Sequence, residues 1–397
     1  MNANLEPKTA SSPPSAQRWI GIRRGQRRRP LEWLVERSIA LVSGSAILMV
    51  FLIFLFVARE ALPVLLGHES SVAAAEVISL ADFDKTPPEQ LRKYLDLSKD
   101  QFKEMDRDTK LELMKLKLEV SQEVTHDKDS KINTVGWRYL ILPYQWSGYD
   151  VPEFIWQPIS AIHKYNIVPL LIGSLKATLV ALIFSVPFSL AAAIYVSQLA
   201  SPSTKEWLKP AIELLAGIPS VVMGFFALLF MASVFQPIFG YESRLNAFVA
   251  GVALGVAIIP VVFSIAEDAL SSVPQSFVHG ALALGSTRWQ TAWKIVLPAA
   301  IPGVFAAVVL GFGRAIGETM IVLMASGNAS IMSASLFDST RSITATIAAE
   351  LAETVFGAHH YRMLFLLGAI LFAVTFLANL IAEWVITRLK KQLEGKA

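Results

Sequence analysis

Cysteine is absent from the 397 residues. That excludes disulfides, thiolate metal sites and a cysteine nucleophile, and says little about compartment. Charge is scarce too: Asp, Glu, Lys and Arg make up 17% of the chain, against about 25% in soluble domains. The net charge of +3 is too small to imply nucleic acid as a partner. Histidine occurs six times. The adjacent pair His359–His360 would point about 100° apart on a helix, which makes poor joint metal ligands. No GxxxxGK[ST] phosphate loop, HExxH or GxSxG occurs. Nothing here builds a site for covalent chemistry, so the chain is not expected to be an enzyme and needs no cofactor or metal of its own. If ATP drives its work, a partner must bind ATP and Mg and hydrolyse the nucleotide.

What the chain has in quantity is hydrocarbon: 54% of its residues are hydrophobic. The apolar residues fall in runs long enough to cross a bilayer, which takes about 20 residues each. The first run is Ser38–Ala58, SIALVSGSAILMVFLIFLFVA. It follows a Pro/Ser-rich, then basic tail (residues 1–37) containing RRGQRRRP, Arg23–Pro30. A long basic lead and a long apolar run indicate an uncleaved signal-anchor. Five more spans are expected at Val168–Tyr195, Glu213–Phe235, Phe248–Ala266, Pro302–Ala325 and Met363–Ile386. Pro187 and Pro260 lie inside two of them, which suits a bundle whose neighbouring helices cover the backbone. The fold class is therefore an all-α polytopic membrane protein with six transmembrane helices.

Residues 59–165 differ in kind. Pro87–Val120 is densely charged with mixed sign, and Leu91, Leu95, Phe102, Met105 and Leu113 recur at roughly helical spacing. One or two amphipathic helices are expected in an extracytoplasmic insertion. An aromatic stretch follows: Trp137, Tyr139, Tyr144, Trp146, Tyr149, Phe154 and Trp156. It reads equally as a packing core or as a belt at the membrane surface. Positive charge sets the orientation. The basic N-terminal tail, Ser201–Pro210, the region 271–300 and the basic tail 388–397 are expected in the cytoplasm, so both termini lie inside.

One inside segment has a pattern of its own: HGALALGSTRWQTAWKIVLPAAIPG, His279–Gly303. Small residues and leucine, among them Ala281 and Leu284, lead to Gly285, a helix breaker. Arg288 and Trp289 follow, and Ile295, Leu297 and Pro298 close the stretch. By itself this is a helix, a bend and a second helix on a membrane surface. Here the sequence resembles the membrane subunits of ABC importers, whose loop reads EAA, three residues, Gly, nine residues, Ile, one residue, Leu-Pro. Gly285, Ile295, Leu297 and Pro298 fall on that spacing, while His279-Gly280-Ala281 replaces the leading Glu-Ala-Ala. Ser174–Ala200, ELLAGIPSVVMGFF (Glu213–Phe226) and GRAIGETM (Gly313–Met320) resemble the permeases of the phosphate-specific importer, PstC-type more than PstA-type. The similarity runs from about Val168 to Ile386 and leaves the insertion outside.

The resemblance implies an ABC importer type I permease core over 166–387, in the bacterial inner (plasma) membrane. It implies a heterodimer with a second homologous permease, two ATPase subunits below and an extracytoplasmic phosphate-binding protein. Ala281, Leu284, Gly285, Arg288, Trp289, Ile295, Leu297 and Pro298 would form the loop that couples to the ATPase.

The remaining oddity is GFGRAIGETM, where Arg314 and Glu318 sit four residues apart in an apolar run. With a span beginning at Pro302, Arg314 lies about 18 Å in, past the middle of a roughly 30 Å core. A charge there faces protein or a watery cavity. Glu318, one helical turn on, would pair with it. Such a pair either locks helices together or lines an anion path, since guanidinium presents planar paired donors that match phosphate oxygens. Competing functions are import of another oxyanion (sulfate or molybdate), a gradient-driven secondary transporter, and a membrane receptor sensing through 59–165. The sequence shows no clear internal repeat and no cytoplasmic signalling domain, which counts against the last two.

Overall fold

The computed structural model describes residues 30–66, 83, 85–95, 97–125, 129, 132–160, 162–393 and 395. The basic stretch before Pro30 and residues 67–82 lie outside that set. The chain divides into two compact units, 1–53 and 54–397. The first contributes the start of helix α1 (Pro30–Leu65), whose side chains from Val35 to Ile53 are exposed, as expected of a run that meets lipid.

In the second unit the insertion comes first. Helices α2 (Pro88–Leu95), α3 (Lys99–Glu104) and α4 (Arg107–Thr125) take up the charged stretch, three helices where one or two are expected. Ser98 explains the extra break. Its side chain accepts from Gln101 N while the Gln101 side chain accepts from Ser98 N, a capping box that starts α3 afresh. The spaced apolar residues converge as expected: Phe83, Leu91, Tyr94, Leu95 and Met114 form a small core with Phe102 and Leu113 against it. The aromatic stretch, with α5 (Trp137–Ile141), resolves mainly into packing. Tyr139, Tyr144 and Trp146 meet edge-on or tilted, and Trp146 and Trp156 are buried, while Trp137 stays exposed. A two-stranded antiparallel hairpin, β1 (Trp156–Gln157) and β2 (Lys164–Tyr165), closes the insertion with Trp156 opposite Tyr165.

Long helices follow. Among the described residues six helical segments are long and apolar enough to cross a membrane. The second is α6 (Val168–Ile194) with a π turn to Leu199. The amphipathic α7 (Pro202–Leu214) comes next and turns Leu208 and Ile212 inward. The third span is α8 (Ser220–Phe226), a π turn and α9 (Ala232–Phe239). It starts at Ser220 rather than Glu213, because Gly217–Pro219 breaks the chain and leaves Glu213 in α7. The fourth is α10 (Ala247–Ser271).

Next come α11 (Gln275–Ala283), α12 (Arg288–Thr291), a π turn at Ala292–Val296 and α13 (Leu297–Ile316). The fifth span thus covers Arg288–Ile316, earlier at both ends than Pro302–Ala325. Pro298 and Pro302 do not delay its start. Pro298 sits in the first turn of α13, where its missing N–H is tolerated. Two short helices, α14 (Met320–Ala325) and α15 (Ile343–Glu350), precede α16 (His359–Leu393).

The seam between α6 and α10 organises the bundle, and small residues make it. A Cβ added at Gly251 would stand 2.5 Å from Val180 Cβ, and one at Gly255 would stand 3.0 Å from Ala181 O. Further along, Ser189 Oγ donates to Ile259 O (3.1 Å) and Gln198 Nε2 to Leu270 O (3.4 Å). Residue numbers rise together along both helices, so the two run in the same direction.

Candidate functional site

The bend at Gly285 is built by backbone chemistry. Gly285 has φ +87°, the left-handed region that favours glycine. Its N–H donates to Leu282 O (3.0 Å) and Ser286 N–H to Ala281 O (3.1 Å), the paired bonds of a Schellman motif closing α11. Thr287 then starts α12 through a capping box with Gln290. Two helices are thus joined by a turn with almost no slack. Their surface is apolar but uncovered: Leu284 is 90% exposed, and Phe277, Trp289, Trp293 and Ile295 are exposed beside it. Trp289 and Trp293 stack with centroids 5.9 Å apart. Ala281 is half-buried and Arg288 exposed. Leu297 and Pro298 open α13 rather than ending a helix: Leu297 N–H reaches back five residues to Ala292 O, and Pro298 has no N–H to give.

A buried carboxylate gathers an ion cluster between α7 and the end of α10. Glu267, in the last turns of α10 and 1% exposed, accepts Lys205 Nζ at 2.9 Å and Lys209 Nζ at 2.6 Å. Ser271 Oγ donates to the same carboxylate (2.8 Å), and Lys209 also reaches Asp268 at 3.3 Å. These bonds raise the Lys209 pKa above its usual 10.5, the hydrogen bond to Glu267 contributing most. The cluster fastens α7 to the end of α10. Sequence reading puts Ser201–Pro210 and the end of this span on the same side of the membrane, but nothing local to Glu267 marks lysines 62 and 58 residues away as its partners.

GFGRAIGETM folds differently from expectation. Arg314 is in the last turn of α13, which ends at Ile316, so the two charges do not share a helical face. No ion pair joins Arg314 to Glu318. Glu318 Oε1 instead accepts the N–H groups of Thr319 (3.1 Å) and Met320 (3.2 Å) at the start of α14. The break at Gly317 is the physical reason: beyond it each charge sits at the helix end whose dipole suits it. The Arg314 side chain is exposed in the single chain. The depth changes too. The span starts at Arg288, so Arg314 lies near its far end rather than its middle.

Beside the break, Thr344 Oγ1 on α15 donates to Glu318 O at 2.8 Å. Thr319, Thr344, Ile347, Ala348, Leu351 and Ala352 line an open cleft of about 410 Å³ there. At the other end of α15, Glu350 gathers Arg341 (Nη1, 2.7 Å), His360 (Nε2, 3.1 Å) and the indole N–H of Trp156, which is 3.3 Å from each carboxylate oxygen. His360 serves Glu350, and both adjacent histidine rings pack against Tyr165. Lys176 does not snorkel. It is buried, and its Nζ donates to Ser333 O (3.0 Å) and Ser335 O (2.8 Å).

The family described as binding-protein-dependent transport system inner membrane component matches residues 185–391. A probable ABC transporter permease protein, YqgH of Bacillus subtilis (strain 168), is 36% identical over 249 residues, covering 62% of this chain and 80% of that protein. The phosphate transport system permease protein PstC of Pasteurella multocida (strain Pm70) is 34% identical over 264 residues, 61% of this chain and 80% of its own length. A solved structure of the MetNI methionine ABC transporter in inward-facing conformations superposes with a TM-score of 0.44 at 18% identity, covering 56% of this chain and 95% of that one. With the family matched over more than half its length, the chain belongs to the binding-protein-dependent inner membrane components, the permease subunits of ABC importers.

Proposed function

We propose that this permease moves inorganic phosphate inward across the bacterial inner membrane, driven by ATP hydrolysed in separate subunits. It pairs with a second, homologous permease. Two ATPase subunits, which bind ATP and Mg, dock below, and an extracytoplasmic phosphate-binding protein delivers the anion above. Both termini are cytoplasmic. The α11–α12 corner enters a groove of an ATPase, with Leu284 as its leading contact and Gly285 holding the corner. Closure of the ATPase pair then pushes α11, and the Glu267 cluster carries α7 along with α10.

The observation that carries the anion reading is Arg314: an exposed guanidinium at a helix break, with no carboxylate of the described residues within ion-pair distance. Anion paths are lined in this way, by Arg or Lys at positions where the passing ion supplies the missing partner. Glu318 serves the path by shaping the break rather than by neutralising Arg314. The relatives named as phosphate permeases support the choice of anion.

Uptake of labelled phosphate into vesicles holding the whole complex tests this. Arg314→Gln is expected to abolish or strongly reduce binding-protein-dependent uptake while the complex still co-purifies. Sulfate carried in preference to phosphate would overturn the anion, and a complex that never yields an ATPase would overturn the machine. Failure of Arg314→Gln to assemble would return Arg314 to a structural role.

A further inference from the structure

The family match begins at residue 185, so the hairpin that ends the insertion lies outside it, while Arg341, Glu350 and His360 lie inside. Yet the hairpin reaches into that core. Trp156 is buried, and its indole N–H spans 194 residues of sequence to reach both oxygens of Glu350. Its main-chain carbonyl accepts Ser330 Oγ at 3.1 Å. The strand partner, Tyr165, stacks on the His360 ring, with centroids 5.9 Å apart and planes 21° from parallel. Both rings of the hairpin therefore bear on the same carboxylate cluster.

Glu350 is the last residue of α15, and the rest of that helix is tied elsewhere. Ile343 N–H donates to Ser174 Oγ on α6 (3.0 Å), and Thr344 Oγ1 donates to Glu318 O (2.8 Å). Thr344, Ile347 and Ala348 of this helix, with Leu351 just beyond it, also wall the cleft beside Glu318. A helix of eight residues has little stability alone. Ile343 and Ile347 pack it into a core with Tyr165, Met363 and Leu364, and polar ties fix its two ends. At the Glu350 end one of those ties comes from the insertion.

We propose that Trp156 is a positioning residue through which the insertion holds α15 and so sets the aperture of the cleft beside Glu318. Buried charge networks seldom exist for stability alone, and a neutral N–H donor from a separate module adds a point of control to this one. Displacement of the hairpin releases one of three ligands of Glu350, and the wall formed by α15 loosens at its far end while Thr344 keeps the near end in place. Only the consequence for substrate passage rests on the transport reading above.

The absence of native cysteine makes the aperture measurable. Ala348→Cys places a single thiol on the cleft wall of the full complex in native membranes, and the rate of labelling by a water-soluble maleimide reports its access. Adding Trp156→Phe keeps an aromatic ring against Tyr165 and removes the N–H. Labelling is expected to quicken about threefold or more, since a hydrogen bond to a charged acceptor is lost, and Glu350→Gln should do the same. A control thiol at Val234→Cys, on α9, should keep its rate. An unchanged rate at position 348 with the protein inserted at its usual level overturns the proposal, and so does equal acceleration at 234, which would mean general loosening. If Trp156→Phe does not accumulate, Glu350→Gln and Ser330→Ala carry the same comparison. Labelling needs no transport, so it stands even where phosphate uptake fails. Where uptake is present, the half-saturating concentration of loaded binding protein should shift more than the maximal rate.

Discussion

The Glu267 cluster predicts an asymmetry between its two sides. The carboxylate is 1% exposed, whereas the side chains of Lys205 and Lys209 are 41% and 30% exposed. Glu267→Gln therefore strands two ammonium groups that can turn to water, and costs about 1.5–3 kcal/mol, the worth of hydrogen bonds to a charged group. Replacing both lysines by methionine keeps their apolar stems but leaves a dry carboxylate with only Ser271 to donate to it. Breaking a buried pair in this way costs about 3–5 kcal/mol. The double lysine variant should thus be the less stable by about 2 kcal/mol, and the triple variant should fall back to the level of Glu267→Gln alone.

Unfolding by SDS titration in mixed micelles, followed by the helical circular dichroism signal, would order the four proteins. Acidity adds a second check. The folded-state pKa of Lys209 is raised, so its contribution is complete below its usual 10.5 and is lost as pH climbs through the raised value. The parent should approach the lysine variants at that alkaline edge and not between pH 6 and 9. If the double lysine variant is as stable as Glu267→Gln at pH 7, the carboxylate is not held dry and the α7–α10 fastening is not what the geometry indicates.

Gly285→Ala meets open space but must hold φ +87°, so it should cost about 1 kcal/mol and lower phosphate uptake per ATP hydrolysed while the subunit level stays near normal. Gly285→Val should uncouple more severely; unchanged uptake would remove the corner from the mechanism. Gly251→Ala drives a methyl to 2.5 Å from Val180 Cβ and 2.9 Å from Ala177 O, and should cost about 1–3 kcal/mol, visible as reduced folded yield in membranes. Leu284→Asp, at a side chain that is 90% exposed, should leave stability unchanged and weaken co-purification of the ATPase.

Hydropathy and glycine–proline punctuation made much of this legible. Six apolar runs sit where six long helices form, and Gly285 ends α11 as its residue type demands. Two misjudged boundaries share a cause: a continuous apolar run does not show where its helix breaks. Gly217 and Gly317 each break such a run, and the second splits GRAIGETM between two helices. A four-residue spacing implies one face only if the helix continues through it, so Arg314 and Glu318 were paired on a premise the backbone does not meet. Long-range partners were beyond reach for a different reason. Nothing local to Trp156 or Glu350 marks them as neighbours, because the contact depends on how the insertion folds back. The extra break at Ser98 was, by contrast, readable: Ser at the cap with Gln three residues on is a helix-start signature.

The glycine seam between α6 and α10 limits how this subunit can move. Where Gly251 and Gly255 let α10 approach the backbone of α6 at Ala177 and Ala181, a shift of one turn would drive larger residues into main chain. The two helices therefore travel as a single plank. Any alternation between two shapes has to be taken up at the joints around it: the π turns after Ile194, within the third span and before Leu297, and the break at Gly317. The stiffness of the plank is then written into the chain by residue size.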